Sequence, residues 1–129
     1  MSQKTHDDAF VELVDACRAR IEELTVGEVL QMRGTDDPFF FIDVREDREV
    51  AVDSCAGSIH IGKGVLERDI GKHVDDLGAR IVLYCGGGYR SALAAESLQR
   101  MGYMNVASMD GGIRGWRQAA APLQTTEGT

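Results

Sequence analysis

Two prolines, one tryptophan and an aromatic content of 6% leave this 129-residue chain short of rigid and bulky side chains. Long hydrophobic runs are missing as well: none approaches the roughly 20 apolar residues that a membrane helix needs. The polar start MSQKTHDDAF does not read as a signal peptide. A cytoplasmic protein without a membrane partner is therefore expected. Basic charge is in the minority, with 14 Lys plus Arg against 21 Asp plus Glu and a net charge of −7. That balance argues against nucleic acid or anionic lipid as a partner. Cysteine is scarce too: Cys17, Cys55 and Cys85 form no C-x-x-C, which excludes a zinc knuckle and a thioredoxin-type redox pair. A disulfide scaffold is not expected in a reducing compartment. His6, His60 and His73 have no metal-ligand spacing, and no metal or cofactor is expected.

What the chain does have is a 43% apolar content, enough for one core and one domain, and 15 glycines. Twelve of the glycines fall between Gly57 and Gly115, where some stretch of backbone must bend freely or be closely approached. Residues 8–24 carry apolar side chains at three- and four-residue steps (Phe10, Leu13, Val14, Cys17, Ile21, Leu24) and predict an amphipathic helix capped by Asp7 or Asp8. Thr25 and Glu28 fit a capping box for a second helix ending near Gly34. Strands are expected over 39–44, 59–61, 80–84 and 106–109, and helices over 65–74, 91–101 and 113–120, with a helical turn or two within 46–52 and Gly102 stopping the penultimate helix. Strands alternating with helices predict an α/β domain with a mainly parallel central sheet flanked by helices. The tail from Gln124 onward has nothing to bury.

One passage carries chemistry. The strand 80–84 runs into Cys85-Gly86-Gly87-Gly88-Tyr89-Arg90, and a helix opens at Ser91. Parallel sheets place their ligand crevices at the carboxyl ends of the strands. A glycine-rich loop lets successive backbone N–H groups turn inward as an anion nest, and the helix aims its positive end at the same point. Both effects favour thiolate over thiol at Cys85 and make it a nucleophile. The plainer alternative is a small residue at a strand end followed by a tight turn, which would need none of this apparatus.

These residues resemble a known family. Asp43-Val44-Arg45 with Glu49, then Cys85-Gly86-Gly87-Gly88-Tyr89-Arg90-Ser91, then Gly111-Gly112 with Trp116 look like a single-domain rhodanese, in order and spacing, from about Thr25 to Leu123. The resemblance implies a rhodanese-like fold over residues 25–123, an N-terminal helical extension over 1–24 and a disordered tail over 124–129. It also implies sulfur transfer: a donor such as thiosulfate gives its sulfane sulfur to Cys85, and the persulfide passes it to cyanide or another thiol. The substrates would be a small sulfur-containing anion or a thiol, and a sulfur-accepting protein is an alternative partner. In that case the chain would be a persulfide carrier. Phosphatase and arsenate-reductase relatives of the same fold carry C-x5-R, whereas four residues separate Cys85 from Arg90, so those activities are disfavoured.

In this frame Gly86 to Ser91 form the anion-binding loop. Arg90 either faces an anionic donor or braces loop carbonyls, since guanidinium suits both tasks. Tyr89 lines the pocket rim. Asp43, Arg45 and Glu49 are expected as a structural ion-pair set, with a catalytic role for Asp43 as the less favoured alternative. Trp116 and Cys17 belong to the core. Many rhodaneses carry G-H-I-x-G-A where this chain has Asp53 to Ser58, and only Gly57 fits. Cys55 thus falls in an atypical loop, either as a small semi-buried residue, which is favoured, or as a thiol resolving Cys85. The P-loop-like run Gly57 to Gly64 lacks its Ser or Thr and overlaps a strand. His60 is expected as a core histidine and His73 as a surface one. The N-terminal helix either covers the domain, which is favoured, or mediates self-association.

Overall fold

The computed structural model describes residues 6–125. In chain order the elements are α1 (Asp8–Arg18), β1 (Glu22–Leu24), α2 (Val26–Arg33), β2 (Phe40–Asp43), α3 (Asp47–Val50), β3 (Ser54–Cys55), β4 (Ile59–His60), α4 (Leu66–Asp69), β5 (Ile81–Tyr84), α5 (Tyr89–Arg100), β6 (Val106–Met109), α6 (Gly112–Gln118) and β7 (Leu123–Gln124). Five strands make one sheet in the order β1-β6-β5-β2-β4, and every pairing in it is parallel. β3 and β7 form a separate antiparallel pair. The expected α/β architecture, a parallel sheet flanked by helices, is the one the chain adopts. No helix among the described residues is long and apolar enough to cross a membrane.

β5 is the middle strand, and its alternation divides the core in two. Ile81 and Leu83 pack with Leu66, Ala94, Ala95 and Leu98, on the side of α4 and α5. Val82 and Tyr84 pack with Val29, Ile113 and Trp116, on the side of α2 and α6. Cys85 continues the phase of Leu83 and joins the α5 side, whereas Cys55 belongs to the other. Both faces are covered, which is why the sequence of β5 reads as an unbroken apolar run. The Thr25–Glu28 capping box is present, with Thr25 Oγ1 accepting from Glu28 N at 3.0 Å and Glu28 Oε1 accepting from Thr25 N at 2.8 Å.

Five expectations are corrected. The helix predicted over 8–24 ends at Arg18, and Glu22–Leu24 pair instead with Ala107, Ser108 and Met109 as an edge strand. Ile21 and Leu24 keep a helical spacing, but Leu24 joins a strand ladder with β6, and both side chains are partly buried against the core. Asp7 occupies the N-cap of α1 without a side-chain capping bond. The helix predicted over 65–74 is broken: only Leu66–Asp69 is α-helical, between 3₁₀ turns at Lys63–Val65 and Ile70–Lys72. Leu66, Ile70 and Val74 are nevertheless buried at the spacing read from the sequence. α5 opens at Tyr89, two residues before Ser91, and Gly102 (φ 107°) follows its end as expected. Gln124 is not the start of an idle tail: it pairs with Ser54, and its amide donates to Ser54 Oγ and Ser58 O, both at 3.0 Å. Residues 126–129, the rest of the predicted tail, lie outside the described residues.

Candidate active site

The site is built where β5 stops. Gly88 takes φ 110°, in the left-handed region open to glycine, and this turn folds the loop back over the strand end. Cys85 Sγ then lies inside the loop, accepting the backbone N–H of Gly88 at 3.1 Å and of Ser91 at 3.3 Å. The latter donor belongs to the first turn of the 12-residue helix α5, so nest and helix N-terminus converge on one sulfur as the sequence predicts. Ser91 Oγ sits 3.4 Å from the sulfur and 2.8 Å from Ser108 Oγ, a short polar chain buried under the loop. Cys85 is 1% exposed and lines a cavity of about 270 Å³ with His6, Phe10, Gly87, Tyr89, Arg90 and Arg114.

The underside of the loop is tied to α6. Ile113 N donates to Cys85 O at 2.9 Å and Arg114 N to Gly86 O at 3.1 Å. The approach is so close that a Cβ on Gly112 (φ 54°) would lie 2.4 Å from Cys85 O and 2.6 Å from Gly86 O. Only glycine fits there, which explains why a Gly-Gly turn 26 residues downstream belongs to the same site. Trp116, fully buried, anchors the helix that carries this turn, in the core role expected for it.

The charged residues group differently from expectation. Asp43 and Arg45 do pair: Arg45 Nε and Nη2 donate to the Asp43 carboxylate at 2.9–3.1 Å, and both side chains are buried. Glu49 makes no hydrogen bond to that pair among the described residues, although its charge and that of Arg45 act on one another. It takes both terminal nitrogens of Arg90, at 2.7 and 3.0 Å, and so clamps α3 to the loop. The Arg90 guanidinium holds the Glu49 carboxyl far below the ordinary carboxylate range, at about 2. To the two roles expected for Arg90, facing an anionic donor or bracing loop carbonyls, the geometry adds a third element: a carboxylate partner, Glu49. Asp43, wholly enclosed and committed to Arg45, does not line the Cys85 cavity.

The other thiols are isolated from this chemistry. Burial pushes Cys17 up to about 11, with Glu96 adding to the shift, and its Sγ donates to Ala92 O at 3.0 Å. Burial pushes Cys55 up to about 12 within the cluster on the α6 side. His60 is half-buried, with Nε2 2.8 Å from Arg45 O, and His73 is exposed. Tyr89 lines the rim as expected and stacks on Phe10, with centroids 5.8 Å apart. Phe10, His6, Arg114 and Ser108 are site residues that the sequence did not reveal. α1 reaches the rim by packing Val14 and Cys17 on Ala92 of α5, and no local motif announces that contact. The Gly111-Gly112 turn was the one signal that could have pointed to Arg114.

Comparison with known proteins fits this geometry. The rhodanese-like domain family model matches residues 25–119. The thiosulfate sulfurtransferase GlpE of Ectopseudomonas mendocina is 34% identical over 88 residues, spanning 68% of this chain and 78% of that protein. A thiosulfate sulfurtransferase structure from Pseudomonas aeruginosa superposes with a TM-score of 0.81 at 27% identity, over 92% of this chain and 23% of that one. A Rhodopseudomonas palustris protein of unknown function, described there as a possible tyrosine phosphatase, superposes with a TM-score of 0.76 at 31% identity, over 96% of this chain and 100% of that one.

Proposed function

The chain belongs to the rhodanese-like domain family, and from that premise we propose that it is a sulfurtransferase in which Cys85 carries the sulfur as a persulfide. The observation that carries the proposal is the sulfur of Cys85 held by two inward backbone N–H groups in a residue that lines a small cavity. With thiosulfate as donor, the Cys85 thiolate attacks the sulfane sulfur. A new S–S bond forms, the old one breaks, and sulfite leaves with the electron pair. Cyanide or an acceptor thiolate then attacks the outer sulfur, departs as thiocyanate or a persulfide, and returns Cys85 to thiolate. The inward N–H groups stabilise negative charge on sulfur throughout, without reorganising at the moment of transfer. Gly86, Gly87 and Gly88 shape the ring, Ser91 supplies one of its donors, and Tyr89 walls the entrance. Asp43 with Arg45, and Glu49 with Arg90, hold the surrounding segments in place. Residues 25–123 form the working domain in this reading, with α1 and β1 as an addition built onto it. The reactive thiol must stay reduced, which suits a cytoplasmic setting.

The test is mass spectrometry after exposure to thiosulfate. A gain of one sulfur atom on Cys85, lost in Cys85→Ser, is expected, with thiocyanate released when cyanide is added. Loading without turnover toward small acceptors would favour a persulfide carrier that serves a partner protein. No gain with any sulfane donor would sink both sulfur readings.

The resemblance to the Rhodopseudomonas palustris protein makes phosphate-ester hydrolysis the second reading. Two features weigh against it. Four residues rather than five separate Cys85 from Arg90, and the Arg90 charge is already answered by a bidentate pair with Glu49. p-Nitrophenyl phosphate should not be hydrolysed; turnover that depends on Cys85 would reverse this order of preference.

A further inference from the structure

The loop is flanked by two guanidinium groups, and they are not equivalent. Arg90, the arginine of the loop motif, has its charge answered by Glu49 and is half-buried. Arg114, in the first turn of α6, is exposed, and no carboxylate pairs with it among the described residues. Its backbone is pinned to the loop through Gly86 O, and its guanidinium lies beside the glycines. A Cβ built on Gly87 would stand 3.3 Å from Arg114 Nη1, and one built on Gly86 would stand 3.6 Å from Nη2. The missing side chain of Gly87 is space that this guanidinium occupies, and that of Gly86 is shared with Arg90, whose Nη2 would stand 3.2 Å from a Cβ there. Arg114 shares the 270 Å³ cavity with Cys85.

We infer that Arg114, and not Arg90, receives the negative end of the sulfur donor, so that the site selects donors whose leaving group is an anion. The inference rests on the sulfur-transfer reading above and assigns its donor-recognition group. A donor must bring its sulfane sulfur to Cys85 Sγ in line with the bond that breaks. The leaving group therefore points away from the ring of N–H groups and toward the rim, where Arg114 has no carboxylate partner among the described residues. As that bond breaks, charge gathers on the leaving sulfite. A guanidinium there binds the departing group more tightly than the intact donor and lowers the barrier as well as aiding capture. Arg90 lines the cavity too, but its charge is already shared with Glu49, so it offers the leaving group a weaker field than Arg114 does.

Paired alkylating agents isolate the charge from the sulfur chemistry. Iodoacetate and iodoacetamide attack the same sulfur and differ in carrying a carboxylate or a neutral amide. In Arg114→Ala the ratio of iodoacetate to iodoacetamide rates at Cys85, read by mass spectrometry, should fall about tenfold, the scale of one charge-assisted contact. Arg114→Lys should retain most of the ratio, and kcat/KM for thiosulfate should fall in parallel in the Ala variant. An unchanged alkylation ratio in Arg114→Ala overturns the inference. Failure of the wild-type protein to take sulfur from thiosulfate would instead overturn the sulfur-transfer reading, so the two failures are separately visible. The exposed side chain makes no hydrogen bond among the described residues that folding would miss, and unchanged thermal unfolding of both variants verifies that.

Discussion

At the residue scale the three cysteines show how position decides chemistry. All three are buried and free, yet only Cys85 has inward N–H groups on its sulfur and a cavity before it. Cys17 and Cys55, raised by burial to about 11 and about 12, stay protonated at neutral pH and are fully buried. Brief treatment of the folded protein with iodoacetamide at neutral pH should therefore modify Cys85 alone. Modification of Cys55 at a comparable rate would restore it as an exchange partner. Glu49 gives a second residue-level expectation. Its folded-state carboxyl sits near 2 because of Arg90, below the ordinary Glu value of about 4.3. A depressed carboxylate stabilises the fold fully above its unfolded value, and that contribution is lost as pH falls through the folded value. The midpoint of thermal unfolding should therefore drop as pH is lowered from about 4.3 toward 2, and Glu49→Gln should flatten that slope. Equal slopes in the two proteins would mean that the pair does not act in solution. Cys85 and its loop were legible because they are contiguous. The Glu49–Arg90 pair spans 41 positions and was not, since Glu49 could be placed beside Asp43 and Arg45 on sequence proximity alone.

At the scale of elements, the parts misread were those whose partners are remote. The periodicity of residues 8–24 continues through Ile21 and Leu24, so nothing local marks the end of α1 at Arg18. The parallel ladder with Ala107 to Met109 decides it. β3 and β7 are two residues each and support one another across the chain, too short to leave a periodic signal. β5 and α5, by contrast, follow from an apolar run, a glycine loop and a glycine stop. The turn between β6 and α6 is where element geometry bears most directly on the site. Gly112→Ala places a methyl against Cys85 O and Gly86 O at distances that no Cβ tolerates, in a left-handed conformation. Overpacking of this kind costs about 1–3 kcal/mol, and the loop must shift to relieve it. Both urea stability and the alkylation rate of Cys85 should fall. Gly64→Ala is the control, because nothing lies within 4 Å of its Cβ. Equal behaviour of the two variants would show that α6 does not set the loop.

At the scale of the molecule, a net charge of −7 looks unsuited to an anionic substrate until its distribution is considered. Fourteen of the acids fall in residues 1–53, whereas residues 54–129 hold seven acids and eight bases, and Cys85, Arg90 and Arg114 lie in that second half. The two halves meet at the carboxyl edge of the sheet, where Asp43 of β2 stands in register with Tyr84 of β5, one residue from the nucleophile. There the buried Asp43–Arg45 pair pins the end of β2, with Arg45 Nη2 also donating to Asp53 O at 2.6 Å. Removing one member leaves an uncompensated charge in the interior, so Arg45→Leu should cost about 3–5 kcal/mol in urea unfolding. Replacing both members by leucine should recover much of that loss, because two apolar side chains need no partner. Arg48→Ala, which breaks the exposed pair with Glu46, should cost less than about 1 kcal/mol. If Arg45→Leu and Arg48→Ala prove equally mild, the buried pair is not what holds the sheet edge beneath the loop. If the double variant is stable but alkylates slowly at Cys85, the pair acts chiefly by placing the site, with little part in stabilising the fold.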